Sequence, residues 1–482
     1  MVTVDAPCGR LSGLALEGML GFRGIPYAKP PPRWSMPEAL APWPGTRDAT
    51  RFGPACPQAA SRLDRMSGGG IGAQSEDCLF LNIWTPTCDG NKRPVMVWIH
   101  GGSFTMGGGH QGLYDGRALA ARDCVIVTIN YRLGAFGFLA LDGIATGAEG
   151  IADQILALQW VQANIAAFGG DPGNVTVFGE SAGAMSIAGL LSSPRTKGLF
   201  HKAILQSGAA HIGHAPERAA RVTQALLAEL GVDAVRLRDV PADALLKAQT
   251  AIIVKGNALK LGGLPFQPAL DNPILPIKPI DAIRAGSAAG IPVLTGTTKE
   301  EWKLFTALDP RLRFMTQADL ATRLARLDAD AAPALLAAYT EGSPFERFNA
   351  VMTDKAFRVP AMRLLEAQAA PVYAYRFDWR SKFLGGLFGS CHALELGFVF
   401  GTYGEKPAST FFGKGPTADA LSHAMIDAWT GFARTGDPGW PRYDAQTRQT
   451  MIFGDGAPHI AAAPNETQRA IWNAIPERKL GP

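Results

Sequence analysis

The runs "PVMVWIH", "CVIVTINYR", "NVTVFG", "KAILQSG" and "IPVLTG" constrain this chain most. Each is short, rich in β-branched residues and continuously apolar. That is the pattern of a strand buried on both faces, and therefore of a parallel sheet covered on both sides. Helical patterns lie between the runs, most clearly over 151–167, where Ile155, Leu158, Trp160, Val161 and Ile165 mark one apolar face. The alternation predicts an α/β fold: a large, mostly parallel central sheet flanked by helices. Ala- and Leu-rich segments over 215–290 and 316–370 predict helical insertions that cap it. With no repeat or linker, the expected organisation is one domain over 1–482.

Composition narrows the function. The 482 residues are 47% hydrophobic and 18% charged, as expected of a globular enzyme with a sizeable core. A net charge of +4 without a basic run argues against a nucleic-acid partner. No apolar stretch reaches the roughly 18–20 residues that would cross a bilayer. The opening "MVTVDAPCGRLSGL" has neither a basic region nor an apolar signal core and reads as a strand. A cytoplasmic protein is the expectation, with secretion the alternative had a leader been removed, and a monomer or small homo-oligomer. The six cysteines form no C-x-x-C pair and no H-E-x-x-H is present, so no metal is expected, and the thiols read as mostly free.

The chemistry centres on "NVTVFGESAGAMSIAGLL", residues 174–191. A buried-strand pattern ends at Phe178, and helix formers begin after Ser181. Gly179 and Gly183 bracket the bend because a Cβ there would strike the adjoining strand or helix. This G-x-S-x-G turn presents a serine hydroxyl at the C-terminal edge of a sheet, as an acyl-transfer nucleophile requires. The strand "PVMVWI" runs into "HGGSFTMGGG", whose glycines let backbone N–H groups face a developing oxyanion. The N–H of Ala182 supplies a further donor from the elbow itself. "GGGHQG" formally matches G-x-G-x-x-G, but its first glycine lies well beyond the strand end, so a nicotinamide cofactor is not expected.

The base must follow Ser181 in the order Ser…acid…His. His201, His211 and His214 come too early, His423 lies within a helical pattern and His459 near the C-terminus. That leaves His392 in "GLFGSCHALELGFVFG". For the acid, "IPVLTGTTKEEWKLF" offers Glu300 and Glu301 just after a strand, and pattern alone does not choose between them.

With these residues in hand, the chain resembles the type-B carboxylesterase family, bacterial para-nitrobenzyl esterases in particular, with cholinesterases as relatives. The likeness runs from "GRLSG" and "FRGIPYAKPP" to "DAWTGFARTGDP". "SEDCLFLNIW" (75–84) and "DQILALQWVQANIAAFGGDPGNVTVFGESAGAMS" (153–186) resemble its two signatures. The resemblance implies an α/β-hydrolase fold and a serine carboxylesterase acting through an acyl-enzyme, with a small-molecule ester as substrate and no cofactor. "TKEEW" resembles T-K/R-D-E-G, which places the acid at Glu301. "HALEL" places the base at His392, and "HGGSF" places oxyanion donors at Gly102 and Ser103, beside Ala182.

Further expectations follow from the resemblance. Trp302 stands where the family has glycine, so it should narrow or reshape the pocket. Leu264, Phe266 and Phe305 are expected to line that pocket. Glu180 is expected to be a buried supporting acid, and Ser207 to hydrogen-bond near the triad. Cys56 and Cys78 resemble the family's first disulfide pair. The segment between them, 57–77, lacks the tryptophan on which cholinesterases seat a quaternary ammonium. That argues against choline esters. Short-to-medium acyl or bulky xenobiotic esters are the expected substrates. A non-catalytic adhesion protein on the same fold is disfavoured by the presence of the whole triad. An amidase, thioesterase or lipase would share it, since fold and triad do not fix the leaving group.

Overall fold

The computed structural model describes residues 1–60, 70–256 and 258–481. Its strands are β1 (Val2–Ala6), β2 (Gly9–Leu16), β3 (Met19–Pro26), β4 (Thr46–Asp48), β5 (Phe80–Thr85), β6 (Arg93–Ile99) and β7 (Val125–Ile129). A small separate pair follows, β8 (Ala140–Leu141) and β9 (Ala145–Thr146). Then come β10 (Gly170–Glu180), β11 (Lys202–Gln206), β12 (Val293–Thr298), β13 (Val372–Phe377), β14 (Thr450–Phe453) and β15 (His459–Ala461).

The main sheet has the order β1-β2-β3-β5-β7-β6-β10-β11-β12-β13-β14-β15, with β4 beside β2. From β7 to β14 every neighbouring pair is parallel, and the pairs at both edges are antiparallel. Period-2 geometry explains the continuous apolar runs: along β6, Val95, Val97 and Ile99 enter one core cluster while Met96 and Trp98 enter another. Both faces of the central strands β6, β7, β11 and β12 are therefore dry.

Strand order also fixes where a site can form. From β6 the chain moves to β7 on one side, whereas from β10 it moves to β11 on the other. Adjacent β6 and β10 thus form the switch point, and the crevice beyond their carboxyl ends is where an open α/β sheet accepts ligands. The glycine loop after β6 and the Ser181 turn after β10 both emerge there.

Helices Pro216–Leu230, Ala242–Lys255 and Pro279–Arg284 fall in the first expected insertion. The helical expectation over 215–290 is too broad, because 258–278 holds no helix among the described residues. Pro265, Pro268, Pro273 and Pro276 explain this, each lacking an N–H and disfavouring helical geometry in the residue before it. The second segment carries Gln317–Leu327, Ala332–Ala338 and Pro344–Thr353, then a π-helical turn Asp354–Arg358 leading into Val359–Ala367.

Cys56 and Cys78 are buried free thiols, so the pair that resembles the family's first disulfide is unbonded in this structure. The Cys56 sulfur accepts the Leu133 N–H at 3.2 Å, and the neighbouring Cys56 and burial together raise the Cys78 thiol well above its ordinary pKa. Of the segment between them, 61–69 lie outside the described residues, so the reading against choline esters rests on sequence there. No helix among the described residues is long and apolar enough to cross a membrane.

Candidate active site

Ser181 links β10 to the helix Ala182–Ser192 with φ 55° and ψ −121°. A non-glycine residue rarely adopts this conformation, and it persists only where its surroundings hold it. Here the Ser181 N–H donates to Gln206 O at 2.9 Å and its carbonyl accepts the Met185 N–H at 2.9 Å. The glycine requirement is steric: a Cβ on Gly179 would lie 2.7 Å from Ile99 O, and one on Gly183 would collide with the same carbonyl.

The loop after β6 passes directly over this turn. A Cβ on Gly101 would sit 2.7 Å from Glu180 Oε2 and 3.2 Å from Ser181 Cβ. Gly102 (φ 111°) and Ser103 (φ 55°) are both left-handed, and the Gly102 carbonyl accepts the N–H groups of Thr105 and Met106 at 3.0 and 3.1 Å. Behind the loop, Tyr131 Oη donates to His100 O at 2.8 Å while the His100 ring stacks on Tyr131 at 4.5 Å.

His392 is buried and meets a carboxylate at each ring nitrogen. Nδ1 is 2.6 Å from Glu301 Oε2, and Nε2 is 3.0 Å from Glu180 Oε1. The second oxygen of Glu301 accepts the Thr298 N–H at 2.7 Å, which anchors the acid to the end of β12. Burial disfavours an imidazolium, but the charges of Glu180 and Glu301 outweigh it and raise the His392 pKa well above its ordinary value. Ser181 and His392 share one cavity of about 340 Å³ with Gly102, Ser103 and Glu180, although Ser181 Oγ makes no hydrogen bond to His392 in this structure. Leu113, Leu304, Phe305, Leu396, Phe411 and Phe412 supply apolar wall.

The chain matches the carboxylesterase family model over residues 1–472. It belongs to the carboxylesterase family. It is 42% identical over 475 residues to a para-nitrobenzyl esterase of Bacillus subtilis (strain 168), covering 93% of this chain and 94% of that protein. A phenmedipham hydrolase of Pseudarthrobacter oxydans is 35% identical over 473 residues, covering 94% and 95%. A solved thermophilic PNB esterase superposes with a TM-score of 0.88 at 40% identity, over 97% of this chain and 99% of that one. The protein is thus a serine carboxylesterase of α/β-hydrolase fold, a hydrolase of carboxylic esters.

The pocket of this carboxylesterase differs from the expectation. Phe305 lines the cavity and is 47% exposed, but Leu264, Phe266 and Trp302 are not among its walls. Phe266 is fully buried in the core, and the adjoining Leu264 packs on the same cluster with its carbonyl facing His214 Nε2 at 3.0 Å. Trp302 stands behind Phe305, ring centroids 5.1 Å apart, and also approaches Phe357 at 6.3 Å. Ser207 is strained at φ 49° and fully buried, and its hydroxyl has no hydrogen-bond partner among the described residues. The bond expected near the triad is therefore not made.

Besides the wall residues Leu113, Leu304, Leu396, Phe411 and Phe412, two residues near His392 are absent from the sequence reading. Phe357, on the π-helical turn, packs 4.7 Å from the His392 ring and stacks on Phe305 at an interplanar angle of 7°. A π turn is not legible from apolar periodicity. Glu395 is fully buried and accepts from Gln206 Nε2 at 3.1 Å, and Gln206 in turn accepts the Trp429 indole N–H at 3.0 Å. Burial, with Glu180 and Glu301 nearby, pushes its carboxyl up to about 8. Its sequence signal is its place three residues after His392 in "HALEL".

Proposed function

We propose that this esterase cleaves short-to-medium acyl esters of bulky, apolar alcohols through an acyl-enzyme on Ser181. The observation that carries the reading is the cavity that Ser181, His392 and the Gly102–Ser103 turn share with an aromatic and aliphatic wall. Its volume, about 340 Å³, accommodates a compact ester. The names of the relatives, a para-nitrobenzyl esterase and a phenmedipham hydrolase, agree with an aromatic-bearing substrate.

In this mechanism His392 Nε2 takes the Ser181 proton as Oγ attacks the ester carbonyl. Glu301, held at Nδ1, fixes the tautomer and stabilises the imidazolium. The N–H groups of Gly102, Ser103 and Ala182 receive the oxyanion, and each such donor is worth roughly 3 kcal/mol in the transition state. His392 then protonates the departing alkoxide, and water repeats the sequence on the acyl-enzyme. Glu180, within reach of Nε2, adds to the field that favours the imidazolium.

The test is hydrolysis of para-nitrophenyl esters from acetate to palmitate by wild type and Ser181→Ala, with a matched anilide alongside. Serine-dependent turnover peaking at short or medium chains is expected, with the anilide far slower. Turnover that survives Ser181→Ala, or that peaks at palmitate, overturns the proposal.

A further inference from the structure

Glu300 and Glu301 are adjacent, and both reach the loop that carries His392. Glu301 takes the imidazole, whereas Glu300 takes the backbone two residues earlier. The Glu300 N–H donates to Ser390 O at 2.8 Å, and Glu300 Oε2 accepts the Ser390 N–H at 2.8 Å. Its other oxygen, Oε1, receives Lys303 Nζ at 2.5 Å. This is not a surface ion pair: the Lys303 side chain is 6% exposed and that of Glu300 19%. Burial works against the Glu300 charge, but Lys303 and the Ser390 N–H outweigh it and hold the carboxyl below the usual carboxylate range.

The loop is shaped to admit this carboxylate. Gly389 is left-handed at φ 56°, and a Cβ there would collide with Glu300 Oε2. Ser390 is fully buried and its hydroxyl donates to Phe377 O at 2.7 Å, so the clamp joins the loop to the ends of both β12 and β13. Cys391 alone separates Ser390 from His392, whose N–H donates to Glu301 O at 3.2 Å. Immediately after the histidine, Ala393 is strained at φ 63°. Such a conformation persists only where the surrounding structure holds it.

We propose that Glu300 is a positioning residue for His392: it clamps the backbone at Gly389–Ser390 from which the imidazole is presented. One carboxylate of the adjacent pair orients the ring, and the other sets the height of the loop. The inference rests on the reading of His392 as the base of the esterase. A misplacement of about 1 Å at a reacting group can cost on the order of 100-fold. Loss of the clamp is therefore read in kcat and not in substrate binding.

The experiment compares wild type, Glu300→Ala, Glu300→Gln and Ser181→Ala on para-nitrophenyl butyrate, with functional sites counted by stoichiometric para-nitrophenol release from an organophosphonate. In Glu300→Ala the kcat per titrated site is expected to fall on the order of 10- to 100-fold with KM little changed. Glu300→Gln retains the length and an acceptor for the Ser390 N–H, and is expected to keep most of the turnover. A purely structural role would instead lower the number of titrated sites and leave each at full speed, which overturns the proposal, as does an unaltered Glu300→Ala. Should Glu300→Ala fail to fold, Gly389→Ala drives a methyl into Oε2 with Lys303 intact, and unchanged kcat there overturns the proposal equally. Turnover surviving in Ser181→Ala would mean that the site assignment itself has failed. An inactive Ser181→Ala beside a normal Glu300→Ala removes Glu300 alone.

Discussion

His392 Nε2 lies 3.0 Å from Oε1 of Glu180, the residue that immediately precedes Ser181. The same imidazole holds Glu301 at 2.6 Å through Nδ1, so it is bracketed by two carboxylates with a third, Glu395, close by. As the proposed general base His392 works in its neutral form, and this bracket favours the charged form. Removing the Glu180 charge lowers the His392 pKa, so more of the imidazole is neutral at a given pH. Glu180→Gln is therefore expected to move the acid limb of kcat/KM to lower pH, by about one unit or more. A pH–rate profile on one fast ester checks this, and an unmoved midpoint refutes it.

Glu395 should make stability depend on pH in the opposite sense from an ordinary paired carboxylate. Its folded pKa is raised to about 8, whereas an unfolded glutamate ionises near 4.5. Between those values the native state binds the extra proton, so its contribution to stability is full at low pH and is lost as pH rises towards 8. Glu395→Gln removes that loss while keeping an acceptor for Gln206. Melting curves are expected to show the variant gaining on wild type as pH goes from 5 to 8. A constant gap in Tm across that range would refute the assignment.

The sheet and the nucleophile turn were legible because their signals are local and steric. Unbroken apolar runs mark strands buried on both faces, and only glycine fits where Gly183 meets the Ile99 carbonyl. The irregular span 258–278 was misread because Ala and Leu content on either side outweighed four prolines within it. Pocket lining proved least legible. Whether Phe266 or Phe305 faces the cavity depends on how distant segments pack, and the two side chains are alike in sequence. The choice between Glu300 and Glu301 needed the resemblance, because neighbouring carboxylates differ only in which part of the His392 loop they meet.

Phe305 and Trp302 make separable predictions. Phe305 faces the cavity, whereas Trp302 supports it from behind through the 5.1 Å ring contact. Phe305→Ala is expected to enlarge the site and shift the preferred acyl chain to longer lengths, with little change in Tm. Trp302→Gly is expected to loosen Phe305 and Phe357 together, at a stability cost on the order of 2 kcal/mol, and to broaden the preference without moving its maximum. Chain-length profiles and melting curves on both variants decide the matter. Identical profiles for Trp302→Gly and wild type would show that Trp302 has no influence on the pocket.

The thiols give a chemical check on the packing. Cys56 and Cys78 are buried, and the Cys78 thiol is pushed well above its ordinary pKa, first by the neighbouring Cys56 and then by burial. Cys88 is only partly buried, with its thiol raised to about 11 by burial. Thiol labelling at pH 8 is expected to modify Cys88 first and to reach Cys56 and Cys78 only after unfolding. The intact mass should be the same with and without reductant. A mass change on reduction would show that the pair can oxidise.

The elbow offers a paired substitution within one helix. On Gly183 a Cβ would strike the backbone carbonyl of Ile99 and lie 2.9 Å from His100 O, and neither atom can yield without displacing the end of β6. That strand end carries the Gly102–Ser103 turn, so any relief moves the proposed oxyanion donors relative to Ser181. Gly183→Ala is expected to cost about 3 kcal/mol or more and to remove activity. Gly189 lies later in the helix Ala182–Ser192, and its nearest neighbour would be a Leu275 side-chain carbon at 3.6 Å. Gly189→Ala should therefore be tolerated, and helix propensity adds up to about 1 kcal/mol in its favour. Measured Tm and esterase activity for the two variants test whether the turn demands glycine for space or merely tolerates it. Equal behaviour of the pair would contradict the steric account.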